Sequence, residues 1–240
     1  MTPSRVRISG LCKRFGRLEV LRGVDIEITP GRITAVVGPN AAGKTTLIKT
    51  ILGMVQPDRG TIEVDEVVVG RDPTYRKTIG YMPQSARFPE YLSGREILGL
   101  VGGLRDRSTG LDEELIAQFG LDRHLDKPIR TLSGGTRQKL NAAVAFLFRA
   151  ALIILDEPTA GLDPVAAGIL KDKVLRAPSE GATVLLTSHI MSEIEELAQD
   201  LVFLVEGSVV YQGPVESLLE QSGESRLERA IAAILVGATP

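Results

Sequence analysis

One cysteine, two histidines and four scattered methionines are the only soft or imidazole ligands in 240 residues. That is too few for a copper or other soft-metal site. The lone Cys12 excludes an internal disulfide and fits a reducing compartment, where it reads as a small apolar residue near a strand end. Excess charge of either sign is also lacking. With 28 basic and 30 acidic side chains the formal charge is −2, so no basic field is available for nucleic acid. Long apolar runs are missing as well. The most apolar stretch, AAVAFLFRAALIIL (142–155), is split by Arg149 and falls short of a bilayer span. Any membrane function therefore needs a spanning partner chain. The opening MTPSRVRISGL lacks the apolar centre and cleavage site of a secretory leader, and no repeat or low-complexity tract is visible.

What is present is an ordinary globular balance, 43% hydrophobic and 24% charged, enough for one large domain or a core with a lobe. RVRISGL (5–11) and LEVLRGVDIEI (18–28) read as strands before a Pro30-Gly31 turn, and RITAVVG (32–38) as a buried strand ending in glycine. KTTLIKTILGM (44–54) places Leu47, Ile48, Ile51 and Leu52 on one helical side, and GTIEVDEVVVG (60–70) alternates like a single strand. From about 86 to 150 the patterns are helical, as in LSGREILGLVGGL and DEELIAQFGL. ALIILDEP and ATVLLTSH then return as buried strands, MSEIEELAQ as a helix, and LVFLVEGSVVYQG as a hairpin turning at Glu206-Gly207. The expectation is an α/β core, with an antiparallel β part at the start, interrupted by a helical lobe.

GPNAAGKTT (38–46) satisfies Gly-x4-Gly-Lys-[Ser/Thr] between a strand and a helix. Gly38, Pro39, Asn40, Ala41, Ala42 and Gly43 would cradle phosphate with backbone amides, aided by the helix N-terminus. Lys44 would bridge the β- and γ-phosphates, Thr45 would ligate Mg²⁺, and Thr46 completes the loop. LIILDEP (152–158) delivers Asp156 and Glu157 to a strand's carboxyl end. There Asp156 suits the metal and Glu157 the attacking water. Together they indicate a P-loop NTPase.

Leu-Ser-Gly occurs twice. In TLSGGTRQKLN (131–141) Ser133 and the Gly134-Gly135 pair precede a good helix, so backbone donors face outward at an anion-binding N-terminus. In YLSGRE (91–96) no second glycine follows, and Ser93 with Glu96 three residues on reads as a capping box. The first therefore suits phosphate, and the second is a cap.

At this point the chain resembles the ATP-binding cassette (ABC) family along essentially its whole length. LSGGTRQKL (132–140) looks like that family's signature, about twenty residues before LIILDEP. Phe15 matches its adenine-stacking aromatic, and Gln84 in IGYMPQ its glutamine loop. AGLDP (160–164) matches its D-loop with Asp163, and His189 in LLTSH its switch histidine. The resemblance implies a single ABC ATPase domain over 1–240, a P-loop NTPase (RecA-like) fold with a nucleotide-binding core at 1–85 and 151–215. The helical subdomain would span 86–150 and a helical tail 216–240. It also implies ATP and Mg²⁺ as ligands, with Thr45, Gln84 and Asp156 on the metal. Glu157, His189, Lys44 and Gln84 would be catalytic. Two copies would clamp two nucleotides head to tail, each Ser133 completing the other's ATP, and a membrane (permease) subunit would dock near Gln84. The second histidine, His124, reads as surface.

Two departures from the family pattern stand out: Thr136 in place of a usual Gln, and Ala41 in place of a usual Gly. Thr136 is expected to tune the clamp or the nucleotide's edge contacts rather than abolish hydrolysis, and Ala41 is acceptable only at negative φ, a positive value costing on the order of 1 kcal/mol. One cassette without spans suits a transporter's separate ATPase, peripheral on the cytoplasmic face of the cell membrane. The alternatives are a non-transport ABC ATPase, or an importer or a lipid- or drug-exporter ATPase of another substrate class. SRLERAIAAILVG (225–237), with Leu227, Ile231 and Ile234 on one face, resembles the terminal helix of ABC-2-type, exporter-like ATPases, and core packing is the other reading. RTLSGGTRQKLNAAVAFLF (130–148) is similar to ATPases encoded with nitrous-oxide-reductase maturation factors, which are copper/sulfur-linked.

Overall fold

The computed structural model describes residues 4–70, 72–104 and 110–237. Residues 105–109 of the expected helical lobe and 238–240 of the expected tail lie outside them. In chain order the main elements begin with β1 (Val6–Phe15), β2 (Leu18–Ile28), β3 (Ile33–Val37), α1 (Lys44–Ile51), β4 (Arg59–Val64) and β5 (Val67–Val68). Next come β6 (Ile79–Met82), α2 (Gly94–Gly103), α3 (Glu114–Gln118), α4 (Gly134–Phe146), β7 (Leu152–Asp156), α5 (Pro164–Arg176) and β8 (Thr183–Thr187). The chain continues with α6 (Met191–Leu197), β9 (Asp200–Val205), β10 (Ser208–Pro214), α7 (Val215–Ser222) and α8 (Leu227–Gly237). They form two compact units, Met1–Arg76 with Leu185–Pro240, and Lys77–Val184. The α/β fold expected from the sequence is present: an antiparallel β part comes first, and α2 to α4 interrupt the chain between β6 and β7.

In the first unit β1 pairs antiparallel with β2 and β4, with Val6 opposite both Ile28 and Val64. The stretch 60–70 is a hairpin, not one strand. Val64 pairs with Val67 around Asp65 and Glu66, both at positive φ. A two-residue loop with that handedness matches the twist of its strands, but Asp-Glu lacks the Asn-Gly signal that would announce it. Glu206-Gly207 turns the β9–β10 hairpin as expected, again with both residues at positive φ. β3, buried at every position, runs parallel to β9. Arg32 grips Asp200 with two hydrogen bonds of 2.6 and 2.9 Å, fixing that register at the strand starts. The tail is two helices. Leu227, Ala230 and Ile231 of α8 are buried, α8 packs on α6 and α7, and the Leu227 amide donates to Glu195. This face is core packing.

In the second unit β6 runs parallel to β7, from Ile79 opposite Leu152 to Met82 opposite Leu155. Gly80 lets α4 lie directly on β6, since a Cβ there would stand 2.2 Å from the Ala145 carbonyl oxygen. α5, which the sequence reading did not anticipate, carries the buried Lys173. Its ammonium donates to Asp112 at 2.7 Å and Glu114 at 2.8 Å, while Arg176 holds Glu114 at 2.6 Å. Burial pulls Lys173 down, but these hydrogen bonds outweigh it and its pKa ends above the ordinary lysine value. Hydrogen bonds from Lys173 and Arg176 hold Glu114 below the ordinary glutamate value.

A lowered carboxylate pKa stabilises the fold above its unfolded pKa, and the contribution fades as pH falls through the folded one. Glu114→Gln is therefore expected to cost about 1 kcal/mol at pH 7 after allowance for partial solvent screening. The deficit should shrink as the pH falls below the ordinary glutamate range. Urea unfolding of both chains across acidic and neutral pH checks this, and a deficit independent of pH would contradict it.

Candidate functional site

Three close backbone approaches shape the loop after β3. A Cβ on Gly38 would lie 2.1 Å from the Leu204 carbonyl oxygen, and one on Gly43 would lie 2.9 Å from both the Val20 oxygen and a Leu21 methyl. One on Gly207 would lie 2.4 Å from the Val20 oxygen. Between the first two glycines Ala42 donates to the Pro39 carbonyl at 3.2 Å, and Gly207 donates to the Ala42 carbonyl at 3.2 Å. Ala41 takes φ 64° and Gly43 φ 106°. The expectation of negative φ at Ala41 is thus overturned. Holding alanine in the left-handed region costs about 1–2 kcal/mol.

Gly43 is the N-cap of α1 with no side-chain cap, and no acidic residue stands in the first turn. First-turn amides have no intrahelical acceptor, so this end carries positive partial charge. Lys44 Nζ donates to the Gly38 carbonyl at 2.6 Å and the Pro39 carbonyl at 3.0 Å, which folds the ammonium over the loop. Pro39, Asn40, Ala41 and Thr45 are exposed, and Thr46 is half-buried. The glycine-bounded loop, the capless helix end and the ammonium all fit a phosphate chain.

Two more predicted residues lie in the same unit. Phe15 ends β1 with its ring half exposed and the Lys13 ammonium 5.3 Å from its centre, so it is not a core residue. His189 is exposed just beyond β8. Ahead of it the buried Ser188 accepts from the Ile190 amide at 3.0 Å and pairs with Glu193 at 3.1 Å, which fixes the turn.

The second unit brings Gln84 and Glu157 together. β7 is buried throughout, and Asp156 at its end is 4% exposed. Glu157 follows at φ 50°, a strained conformation for a side chain of its size. Gln84 Nε2 donates to Glu157 Oε2 at 2.7 Å. Behind Gln84, Asn141 Nδ2 donates to the Pro83 carbonyl at 2.8 Å and ties the end of β6 to α4. The sequence reading missed Asn141. Its signal was a polar residue, like Gln138 three positions earlier, on the buried face of a helix, where it needs a partner. Burial, with Asp156 adding, pushes the Tyr81 phenol up to about 12, so it stays neutral beside that carboxylate.

Both serines of the repeated tripeptide are helix caps. Ser93 accepts from the Glu96 amide, and Glu96 accepts from the Ser93 amide, closing the expected box at the start of α2. Ser133 accepts from the Thr136 amide at 3.1 Å at the start of α4, where Gly134 is exposed and Gly135 half-buried. A Cβ on Gly135 would lie 3.5 Å from the Gly161 carbonyl oxygen, so the 160–164 turn lies close beside this helix end. Asp163 caps α5 through the Ala166 amide at 2.9 Å and pairs with Lys139 at 2.7 Å. The Lys139 hydrogen bond and then the Ala166 amide hold Asp163 below the ordinary aspartate value. Among the described residues no helix is long and apolar enough to cross a membrane.

Comparison with known proteins agrees with this geometry. The family model described as ABC transporter matches residues 21–160. The chain is 34% identical to the daunorubicin resistance ATP-binding protein DrrA3 of Streptomyces coeruleorubidus, covering 95% of this chain and 74% of that protein. It is also 34% identical to the Nod factor export ATP-binding protein I of Ralstonia nicotianae, over 88% and 68%. A solved ATP-binding subunit of an ABC transporter superposes with a TM-score of 0.90 at 29% identity, covering 97% of this chain and all of that one. With the phosphate-type loop, the buried strand ending in Asp156-Glu157 and the capped signature helix all present, the chain belongs to the ABC transporter family, as one of its ABC ATPases.

Proposed function

We propose that this chain is the ATP-hydrolysing subunit of an export-type ABC transporter, acting as a pair of identical copies on a separate membrane subunit. The observation that carries the reading is the Gln84–Glu157 hydrogen bond of 2.7 Å at the end of a buried strand. It holds the Glu157 carboxylate in a fixed pose, as a general base needs. Gly38 to Thr46 take the phosphates of ATP and Phe15 stacks on its adenine. Glu157 accepts a proton from water as the water oxygen attacks the γ-phosphorus and the bond to the bridging oxygen breaks. Lys44 stabilises the charge that develops, and His189 holds the γ-phosphate.

A magnesium ion, when bound, supplies positive charge to the phosphate oxygens. Thr45, Asp156 and Gln84 would hold it through a hydroxyl, a carboxylate and an amide oxygen, the Gln84 nitrogen being engaged with Glu157. These hard oxygen donors fit an ion that needs few protein ligands besides substrate phosphate. Ser133, Gly134, Gly135 and Asp163 act on the nucleotide of the second copy, which couples closure of the pair to ATP.

Similarity to a resistance and an export ATPase supports outward transport. The chain would sit on the cytoplasmic face of the membrane through its membrane subunit. A narrower reading, cargo linked to copper or sulfur in nitrous-oxide-reductase maturation, rests on the likeness over 130–148.

Glu157→Gln is expected to lower ATP turnover by roughly 10²–10⁴-fold while ATP binding persists. Turnover and nucleotide binding should be measured on chains purified with their native membrane. A copurifying multi-span protein identifies the cargo class, whereas ribosomes or DNA factors alone would refute the transport reading. Ser133→Ala is expected to abolish ATP-driven pairing, read by analytical ultracentrifugation, with thermal stability within about 1 kcal/mol of the parent for loss of an exposed cap. Unchanged pairing would sink the shared-site reading.

A further inference from the structure

The chain carries two Leu-Ser-Gly caps whose difference lies at the third helical residue. At Ser93 that residue is Glu96. Its Oε2 accepts from the Ser93 amide at 2.7 Å and from the Ser93 hydroxyl at 2.8 Å. The serine proton is thereby taken up, and α2 carries its own anion in its first turn. At Ser133 the corresponding residue is Thr136. Its amide donates to Ser133 Oγ at 3.1 Å, and the two hydroxyl oxygens lie 2.8 Å apart. The first turn of α4 holds no acid, and a Cβ on Gly134 would meet nothing within 4 Å.

A serine oxygen accepts two hydrogen bonds and donates one. When the amide and the hydroxyl of Thr136 both donate into Ser133, its own proton has to point elsewhere. Facing an anion, that arrangement is favoured over the reverse, because donors in series strengthen one another. We propose that Thr136 is a positioning residue: it fixes the Ser133 hydroxyl as an outward donor, and its neutrality keeps the start of α4 open to the phosphate of ATP held by a second copy of the chain. This rests on the reading of Ser133 given above and extends it. The threonine in place of the family's glutamine is then a working substitution.

The test uses the full chain with Glu157→Gln, so that ATP persists, and measures the ATP concentration for half-maximal pairing together with thermal stability. Thr136→Val, close in shape but without the hydroxyl, should need about tenfold more ATP, the size expected for weakening one hydrogen bond to a charged group. Thr136→Ser should restore pairing to within about twofold, because it keeps the hydroxyl that donates to Ser133. Thr136→Glu should close a box like that of Ser93, losing pairing while melting no lower than the parent. A purely structural cap would pair normally with glutamate. The proposal is overturned if valine pairs like threonine, or if serine is as poor as valine. Ser133→Ala separates the two readings. If it pairs normally, the role of Ser133 itself is wrong; if it fails while Thr136→Val does not, only the role of Thr136 is wrong.

Discussion

Three backbone segments of the first unit meet where no side chain fits. Gly38 lies against the Leu204 carbonyl, while Gly43 and Gly207 lie against that of Val20. The Arg22 amide donates to the Gly207 carbonyl at 2.8 Å, and the Gly207 amide to that of Ala42 at 3.2 Å. The path of residues 38–43 is therefore dictated by the packing of β2 and the β9–β10 hairpin. A loop fixed in this way has its ordering entropy already met by the core, which is the condition for holding an anion with backbone amides. Ala41, exposed and at positive φ, lies on this loop between the two close-packed glycines.

The second unit applies the same logic to side chains. A fully buried strand ends in Asp156, and the chain turns at Glu157 through a left-handed conformation. Gln84 reaches the Glu157 carboxylate from the end of β6, whose last carbonyls are tied to α4 by Asn141. The helix that begins at Ser133 is thus also the helix that steadies the Gln84 loop. Lys139 of that helix holds Asp163 at the start of α5. A shift of α4 would disturb Ser133, Gln84 and Asp163 together.

The loop over 38–43 and its flanking elements were legible in the sequence because its geometry demands particular residues: glycine at close approaches, a helix starting at Lys44 and a buried strand before them. The capping box at Ser93 was legible too, since Glu96 stands three residues further on. Other features had no local signature. The hairpin at Asp65-Glu66 uses residues that rarely announce a turn. Lys173, on α5, reads as a surface charge until Asp112 and Glu114 are seen around it. Asn141 is known to matter only through Pro83, 58 positions away. The positive φ of Ala41 is taken by a residue type that ordinarily avoids it, so nothing in the local sequence announces it.

The most direct test of this account is the affinity of the purified chain for Mg·ATP, measured by titration, in the parent and in Lys44→Ala. The account predicts saturable binding by the parent, weakened by roughly tenfold or more in the variant through loss of a hydrogen-bonded charge on phosphate. The variant should still unfold cooperatively, with a stability loss of about 1–2 kcal/mol from the two hydrogen bonds that Lys44 donates to the Gly38 and Pro39 carbonyls. Equal affinities in two folded chains would contradict the assignment of residues 38–46 as the phosphate cradle.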